Sequence, residues 1–543
     1  MIQIDEKITA QATLAGLYQH ASAVYKNRPA FALFSDGKIT KQVTYERMGK
    51  YSKKAAVVLK SSGVCGGDRV LLLAENCPEW PIVYFGIAIA GAVSVPLLTG
   101  FSVPQIRYIA EHCGAKAICI SKEMAQKFKS IIELPFFAKT PFIYIDTLIS
   151  DESISVSVNG IKKKYTNIDI DNIENPRNSP DDLASIIYTS GTQGSSKGVM
   201  LSSRNLISSA VSTFTFIKVN SSDRVLSVLP LAHSYECSLG LIIPVICGSS
   251  ITYLDKPPSP SVLLPAMKLI RPTIMASVPL LMEKIYNNSI RPKLRANPLY
   301  KFILTRPLVI FAAGRRLNKA LGGRIRFFGI GGAPLCAEVE KFLYRIKFPY
   351  SIGYGLTEAA PLVAGNPPYR LSSKEGLVAP KTVEIRISDE GEIQVKGPNI
   401  MMGYYNDKEK TAQSFTSDCW LKTGDLGSID KKGKLHIKGR LKALILGPSG
   451  ENIYPEEIER LLGSSQLVEE SLVYSGKKGE LVAMVILSEA AKTAADVIEN
   501  TMEELRMWVN KKLAAFSKLN RIEIKYEPFE KTPTMKIKRY LYI

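Results

Sequence analysis

Between two apolar runs lies a segment of small hydroxylated residues and glycines, Thr189-Ser190-Gly191-Thr192-Gln193-Gly194-Ser195-Ser196-Lys197-Gly198. Such a loop has no bulky side chains to pack. Its backbone N–H groups and hydroxyls are therefore free to cradle an anion, and Lys197 adds a full positive charge. The Walker loop is excluded, because it places glycine before the lysine and Ser or Thr after it, whereas Ser196 and Gly198 stand there. Gly194 to Gly198 also fits the G-x-S-x-G nucleophile elbow with Ser196 as nucleophile. Several polar residues separate Ser196 from the preceding apolar run, and only His233 and His436 lie downstream as bases, so the phosphate grip is preferred.

Other residues could act on the same kind of ligand. In Y-G-L-T-E, Tyr354, Gly355, Thr357 and Glu358 put a ring, a hydroxyl and a carboxylate within five residues, able to stack a base, bind phosphate and hold Mg²⁺. The glycines of F-F-G-I-G-G-A-P, Phe327 to Pro334, would let a flat ring approach the backbone closely. Asp425, at the end of Trp420 to Asp425, is expected in a turn, where a carboxylate suits ribose hydroxyls. A strand through Val225 to Leu229, ending in Pro230 and running on to His233, would deliver that histidine to the rim of a sheet. The tail from Glu530 to Arg539 reads on pattern alone as solvated basic surface.

Taken in order, these stretches resemble the signature motifs of the adenylate-forming superfamily: acyl-CoA synthetases, luciferases and peptide-synthetase adenylation domains. P-L-A-H-S-Y-E and T-P-T-x-K-x-K-R look like the long-chain fatty acyl-CoA synthetase and acyl-acyl-carrier-protein synthetase branch. The resemblance implies ATP, Mg²⁺ and CoA, or the phosphopantetheine of an acidic carrier protein, as cofactors. By the same resemblance Thr189 to Gly194 and Lys197 grip the phosphates, with Thr189 also on the metal side. Gly332, Ala333, Pro334 and Tyr354 line the adenine site, Gly355 belongs to the same nucleotide motif, and Thr357 meets the α-phosphate. Glu358 holds Mg²⁺, Asp425 binds ribose, Arg440 adds contacts to ribose or phosphate, and His233 borders the acyl pocket. Lys536, of T-x-x-x-K, reaches the active site during adenylation, and Lys442, of G-R-L-K, is the hinge of a mobile C-terminal lid. Gln193, Ser196, Ser203, Ala443 and Met535 depart from the usual pattern.

The elements that must position these groups alternate strand and helix, so the expected class is α/β. A large N-terminal domain of parallel sheets covered by helices, with a small β subdomain from Thr382 to Ile437, spans residues 1–439. A small α+β lid spans residues 440–543. Eight scattered cysteines without a C-x-x-C pair favour a reducing compartment and argue against structural zinc. The first ten residues lack the order of a signal peptide, so the expected location is cytoplasmic, with peripheral contact at an inner membrane face allowed. Trp80 to Leu98 carries no charge and is long enough to mimic a membrane span, but Pro81 and Gly91 divide it into a buried helix and a strand. Lys162 to Asn178 reads as a polar connector.

A net charge of +20 can attract an anionic partner. From Lys284 to Ala337 there is no acidic residue, while Arg291, Lys293, Arg295, Lys301, Arg306, Arg315, Arg316, Lys319, Arg324 and Arg326 accumulate. The expected activity is conversion of a medium- or long-chain fatty acid to acyl-adenylate, then to acyl-CoA. A carrier protein is the alternative acceptor. A non-catalytic lipid- or nucleotide-binding relative is the alternative of another class, and no nucleic-acid partner is expected.

Overall fold

The computed structural model describes residues 12–542 apart from 130–134, 150–152, 159–160, 167, 171–172, 174–178, 191–195, 301–305, 447–450, 466, 477–478, 489–490, 492–497 and 533–535. Two large sheets organise the first four-fifths of the chain. An eight-stranded sheet runs, neighbour to neighbour, through Leu362–Gly365, Tyr350–Gly355, Phe327–Gly331, Ile274–Ser277, Arg224–Leu226, Ser250–Leu254, Pro29–Ser35 and Lys38–Thr44. A nine-stranded sheet runs from Gly403–Tyr404 through Ser196–Ser202, Leu183–Ser190, Val93–Pro96 and Arg69–Leu73 to Ala117–Ile120 and three further strands. Interior strands pair in parallel and the edges pair antiparallel. Leu71, Leu72, Val95 and Ile118 are buried on both faces, as parallel strands between helical layers require.

The apolar stretch after Asn76 folds as the helix Glu79–Ile89 and the strand Val93–Pro96, separated by Gly91 at φ 77°. Trp80, Ile82, Val83 and Ile87 are all buried, which explains a helix that is hydrophobic on every side. Among the described residues no helix is long and apolar enough to cross a membrane. The 162–178 segment differs from a plain connector, because Ile161–Tyr165 pairs antiparallel with Ile154–Val158 and closes one edge of the nine-stranded sheet.

A four-stranded antiparallel sheet follows: Glu384–Ile387, Glu392–Lys396, Leu421–Ile429 and Leu435–Arg440. Asp425 therefore lies within a strand and not in a turn. Gly424, at φ 71°, bends that strand at the point where the turn was expected. Beyond Arg440 the chain builds a core of its own. The helix Pro455–Leu462 buries Ile458 and Leu462 against Val473, Val485, Val509 and Leu519, which belong to a three-stranded sheet and the helix Ile498–Asn510 with the segment after it. Pro455 stands at the first helical position, with Glu456 and Glu457 at the positive end of the dipole.

Candidate active site

Leu183–Ser190 and Ser196–Ser202 form an antiparallel hairpin in which Thr189 faces Lys197 and Ser190 faces Ser196. Gly191, Thr192, Gln193 and Gly194 lie outside the described residues. Ser196 is a buried strand residue, and no sharp strand-to-helix turn presents it, so the nucleophile elbow is ruled out on geometry. Beside the hairpin runs Gly403–Tyr404, paired with Val199 and Met200. Tyr404 holds its ring under Lys197, with Nζ 4.9 Å from the ring centroid, and its hydroxyl donates to Glu358 Oε1 at 2.8 Å. Burial, and then the Glu358 carboxylate, push the Tyr404 phenol well above its ordinary range, so it remains a donor at neutral pH.

Glu358 sits in the short 3₁₀ turn Thr357–Ala359, just past the strand Tyr350–Gly355. Two backbone ties hold this turn. Met401 N–H donates to the Glu358 carbonyl at 2.9 Å, and the Asn399 side chain donates to the carbonyls of Ala359 and Leu362 at 3.0 and 2.9 Å. Gly355 has a structural reason of its own, since a Cβ there would lie 2.0 Å from the Pro361 carbonyl oxygen.

The strand Phe327–Gly331 pairs in parallel with Tyr350–Gly355, placing Gly331 opposite Gly353. Gly332, Ala333 and Pro334 leave the same end of the sheet and are exposed, and Gly332 takes φ +88° with open space where a Cβ would stand. Tyr354 donates its hydroxyl to Asp425 Oδ2 at 2.6 Å. Across the strand pair, Arg440 Nε lies 2.8 Å from the other oxygen, Asp425 Oδ1. Asp425 is thereby held by the Tyr354 hydroxyl and by a guanidinium at the end of the four-stranded sheet. Removing either partner would leave a buried carboxylate short of hydrogen bonds, which costs about 1–3 kcal/mol.

Lys536 enters this cleft from the other side. Its backbone N–H donates to Thr532 Oγ1 at 3.2 Å, and Thr532 N–H donates to the Lys536 carbonyl at 2.8 Å, so the two ends of the T-x-x-x-K motif are tied to each other. Lys536 is exposed as a residue, while desolvation acts on its ammonium. Desolvation and then Arg440 lower its pKa, and Asp425, Glu456 and Glu358 oppose them. Lys197 is held low by desolvation and by Lys410 and Lys442, again with Glu358 opposing. One carboxylate is thus the electrostatic neighbour of both the early and the late lysine. Lys442, exposed in the turn Leu441–Ala443, completes the group two residues past Arg440.

His233 lies seven residues beyond the strand Arg224–Leu226, which ends earlier than expected, and it caps the turn Ser234–Glu236 by accepting from Tyr235 N–H at 3.2 Å through Nδ1. The Asn76 side chain positions the approach, donating to the Leu229 carbonyl at 2.6 Å and accepting from Leu231 N–H at 2.9 Å. Desolvation and the nearby Lys536 push His233 down to about 4, so it is neutral at physiological pH and faces the ammonium as an uncharged wall. Three residues on, Glu236 is buried, and burial pushes it up to about 8 although the Ser227 side chain opposes the shift.

Tyr404, Asn399, Asn76 and Glu236 were not singled out as functional by sequence reasoning. The tyrosine of M-M-G-Y-Y-N stood in plain view, but its part depends on pairing with a strand two hundred residues earlier. A divalent cation fits this donor set in a limited way. Among the described residues no cluster of three His, Cys, Asp or Glu could cage a metal, whereas Mg²⁺ is commonly held by one or two protein oxygens together with substrate phosphates and water. Glu358 and Thr189 supply such oxygens.

Residues 18–405 match the family described as AMP-binding enzyme. Long chain acyl-CoA synthetase 6, peroxisomal, of Arabidopsis thaliana is 30% identical over 485 residues, covering 82% of this chain and 68% of that protein. 4-Coumarate–CoA ligase 3 of Oryza sativa subsp. japonica is 26% identical over 565 residues, covering 99% and 92%. The fold is shared with the o-succinylbenzoate coenzyme A synthetase of Bacillus subtilis solved with ATP and magnesium ion, at TM-score 0.73 and 24% identity over 96% of this chain and 98% of that one. The match spans well over half of the chain and takes in the hairpin, the Glu358 turn and Tyr404, so the chain belongs to the AMP-binding enzyme family and, with acyl-CoA synthetases among its relatives, is an adenylate-forming, AMP-forming ligase.

Proposed function

We propose that the protein activates a medium- or long-chain fatty acid with ATP and transfers the acyl group to the thiol of CoA. The observation that carries this reading is the position of Lys536 among Glu358, Asp425, Arg440 and His233. A carboxylate oxygen attacks the α-phosphorus, the bond from that phosphorus to the bridging oxygen breaks, and pyrophosphate leaves. Both reactants are anions, so the barrier falls mainly through fixed positive charge and positioning. On this reading Lys536 faces the acid and the α-phosphate, and the Thr357 hydroxyl meets the α-phosphate. Lys197 and the hairpin meet the outer phosphates. Asp425, held by Tyr354 and Arg440, accepts from ribose hydroxyls, while Gly332, Ala333 and Pro334 flank the base. Mg²⁺ held by Glu358 and Thr189 would supply charge neutralisation on the phosphates.

In the second step the thiol sulfur attacks the acyl carbonyl, AMP departs and the thiol proton passes to solvent. Lys536 must first withdraw, and the reading assigns that movement to the chain beyond residue 440 turning near Lys442. The neutral His233, near enough to Lys536 to feel its charge, is assigned to the border of the acyl pocket, a boundary suited to a chain that is charged at one end only. Long-chain acyl-CoA synthetases among the relatives favour a fatty acid over an aromatic one.

The test is pyrophosphate release with a ladder of fatty acids and with coumarate, with CoA and a holo acyl carrier protein supplied as separate acceptors. Release that rises with chain length, followed by thioester formation on CoA, is expected. Thioester on the carrier alone would overturn the acceptor, and release with coumarate alone would overturn the acid.

A further inference from the structure

The helix Arg306–Ala320 has two different faces. Ile310, Gly314 and Leu317 are buried, and Gly314 is pressed so closely on Ile346 that an added Cβ would lie 2.6 Å from it. The opposite stripe, at helical spacing, is Leu308, Phe311, Arg315 and Lys319, all exposed. Leu308 exposes 69% of its surface and Phe311 59%, large values for side chains that a solvated helix would be expected to replace with polar ones. Arg315 lies over the Phe311 ring, 6.0 Å from its centroid. The apolar end of the stripe is therefore continuous with a cationic end.

The adjoining helix Pro260–Ile270 extends the surface. Leu264 and Leu269 are each 51% exposed, and past Leu269 a shallow groove of about 370 Å³ is lined by Arg224, Leu269, Ile270, Arg271 and Arg324. Among the described residues no carboxylate pairs with Arg271, Arg315, Arg316, Lys319 or Arg324, and none occurs in the sequence from Lys284 to Ala337. An arginine-lined groove beside projecting leucines has the polarity of a phosphate headgroup lying next to acyl chains.

We infer that the outer face of the Arg306–Ala320 helix and the end of the Pro260–Ile270 helix dock on a lipid bilayer bearing anionic phosphate headgroups. Leu308 and Phe311 enter the acyl boundary while Arg315, Lys319 and the arginine groove meet phosphates, the arrangement of a helix lying in the plane of an interface. A protein partner would have to offer a matching pocket for each projecting side chain. A bilayer accepts them wherever they stand. The contact is peripheral, since no described helix can span. The same helix feeds the strand Phe327–Gly331, whose end carries Gly332 to Pro334, so the docked face and the cleft share one sheet. Collection of substrate from the bilayer rests on the fatty-acid reading; the docking itself does not.

The test is sedimentation of the full chain with vesicles of phosphatidylcholine alone and of phosphatidylcholine mixed with phosphatidylglycerol. Binding to the mixed vesicles that weakens as salt rises is expected. Leu308→Ser with Phe311→Ser should lower the affinity by about tenfold or more at fixed salt. Arg315→Gln with Lys319→Gln should lower it and flatten its salt dependence. Pyrophosphate release with a short, water-soluble acid should be unchanged in both variants, which shows that they fold. Failure of the enzymatic reading would appear as no release from any of the proteins, whereas vesicle binding is read without turnover. Equal binding by wild type and the apolar variant, no preference for anionic vesicles, or retention by an acidic carrier protein but not by vesicles would overturn the inference.

Discussion

Tyr404 serves two groups with one side chain: its ring lies under the Lys197 ammonium and its hydroxyl holds Glu358. Tyr404→Phe keeps the first contact and deletes the second. If the hydroxyl orients the carboxylate toward a cation, adenylation should fall by roughly 10–100-fold and the Mg²⁺ concentration giving half-maximal rate should rise. A fall in rate with the Mg²⁺ dependence unmoved would assign the hydroxyl to packing alone. Glu236 makes a different claim. Its folded pKa of about 8 lies above the unfolded value of about 4.3, so between them the folded state keeps a proton that the unfolded state has lost. Its effect on stability is least unfavourable below the unfolded value and worsens as pH rises through that window. Glu236→Gln, a neutral isostere, should therefore unfold later than wild type in denaturant at about pH 8, by up to a few kcal/mol, with little difference near pH 4. Equal pH dependence of the two unfolding midpoints would refute the buried, protonated state.

At the scale of elements, the two glycines of the nucleotide motifs answer to different constraints. Gly332 has room for a side chain but holds φ +88°, so Gly332→Ala should cost about 1–2 kcal/mol of backbone strain and leave the fold intact. At Gly355 the obstacle is the Pro361 carbonyl 2.0 Å from the added carbon, which cannot be relieved by a rotamer. Gly355→Ala should be the more destabilising of the pair, measured by thermal unfolding, because it forces the strand Tyr350–Gly355 away from Leu362–Gly365. Equal losses would mean that the turn yields. These contrasts also mark what was legible beforehand. Parallel sheets, the helix and strand within Trp80 to Leu98 and the small four-stranded sheet follow from apolar runs punctuated by glycine and proline. Asp425 was misplaced because a positive-φ glycine reads equally well as a turn or as a bend inside a strand, and only the ladder with Leu435–Arg440 separates the two. The strand before His233 was drawn too long because Ser227 to Leu231 is apolar enough for a ladder. Ser227 N–H still donates to the Thr252 carbonyl of the neighbouring strand, but beyond it the Asn76 side chain takes the Leu229 carbonyl and the Leu231 N–H in place of a ladder. Tyr404 was missed because its function is a cross-sheet relation. No local spacing encodes it.

Across the whole molecule, the chain before Arg440 and the chain beyond it have separate hydrophobic cores, yet each contributes to one cleft. Lys536, hydrogen-bonded to Thr532, belongs to the later part, while Glu358, Asp425 and Lys197 belong to the earlier part. Desolvation and then Arg440 weigh against the charged ammonium, and Asp425, Glu456 and Glu358 offset them only in part, so a carboxylate and a phosphate lying between the two cations would favour it further. On the proposed reading the later part withdraws with its ammonium once pyrophosphate has gone, which would clear a path for the thiol. If Lys536 acts only while the two parts are closed in this way, its loss should divide the reaction. Lys536→Ala should slow acid-dependent pyrophosphate exchange by about 10²–10³-fold, the scale of one lost transition-state contact. Thioester formation from supplied acyl-adenylate should stay within about threefold of wild type, because the second step does not use that ammonium. A loss shared equally by both half-reactions would mean that Lys536 supports the closed structure and not the chemistry, and the movement about Lys442 would then have no reason to exist.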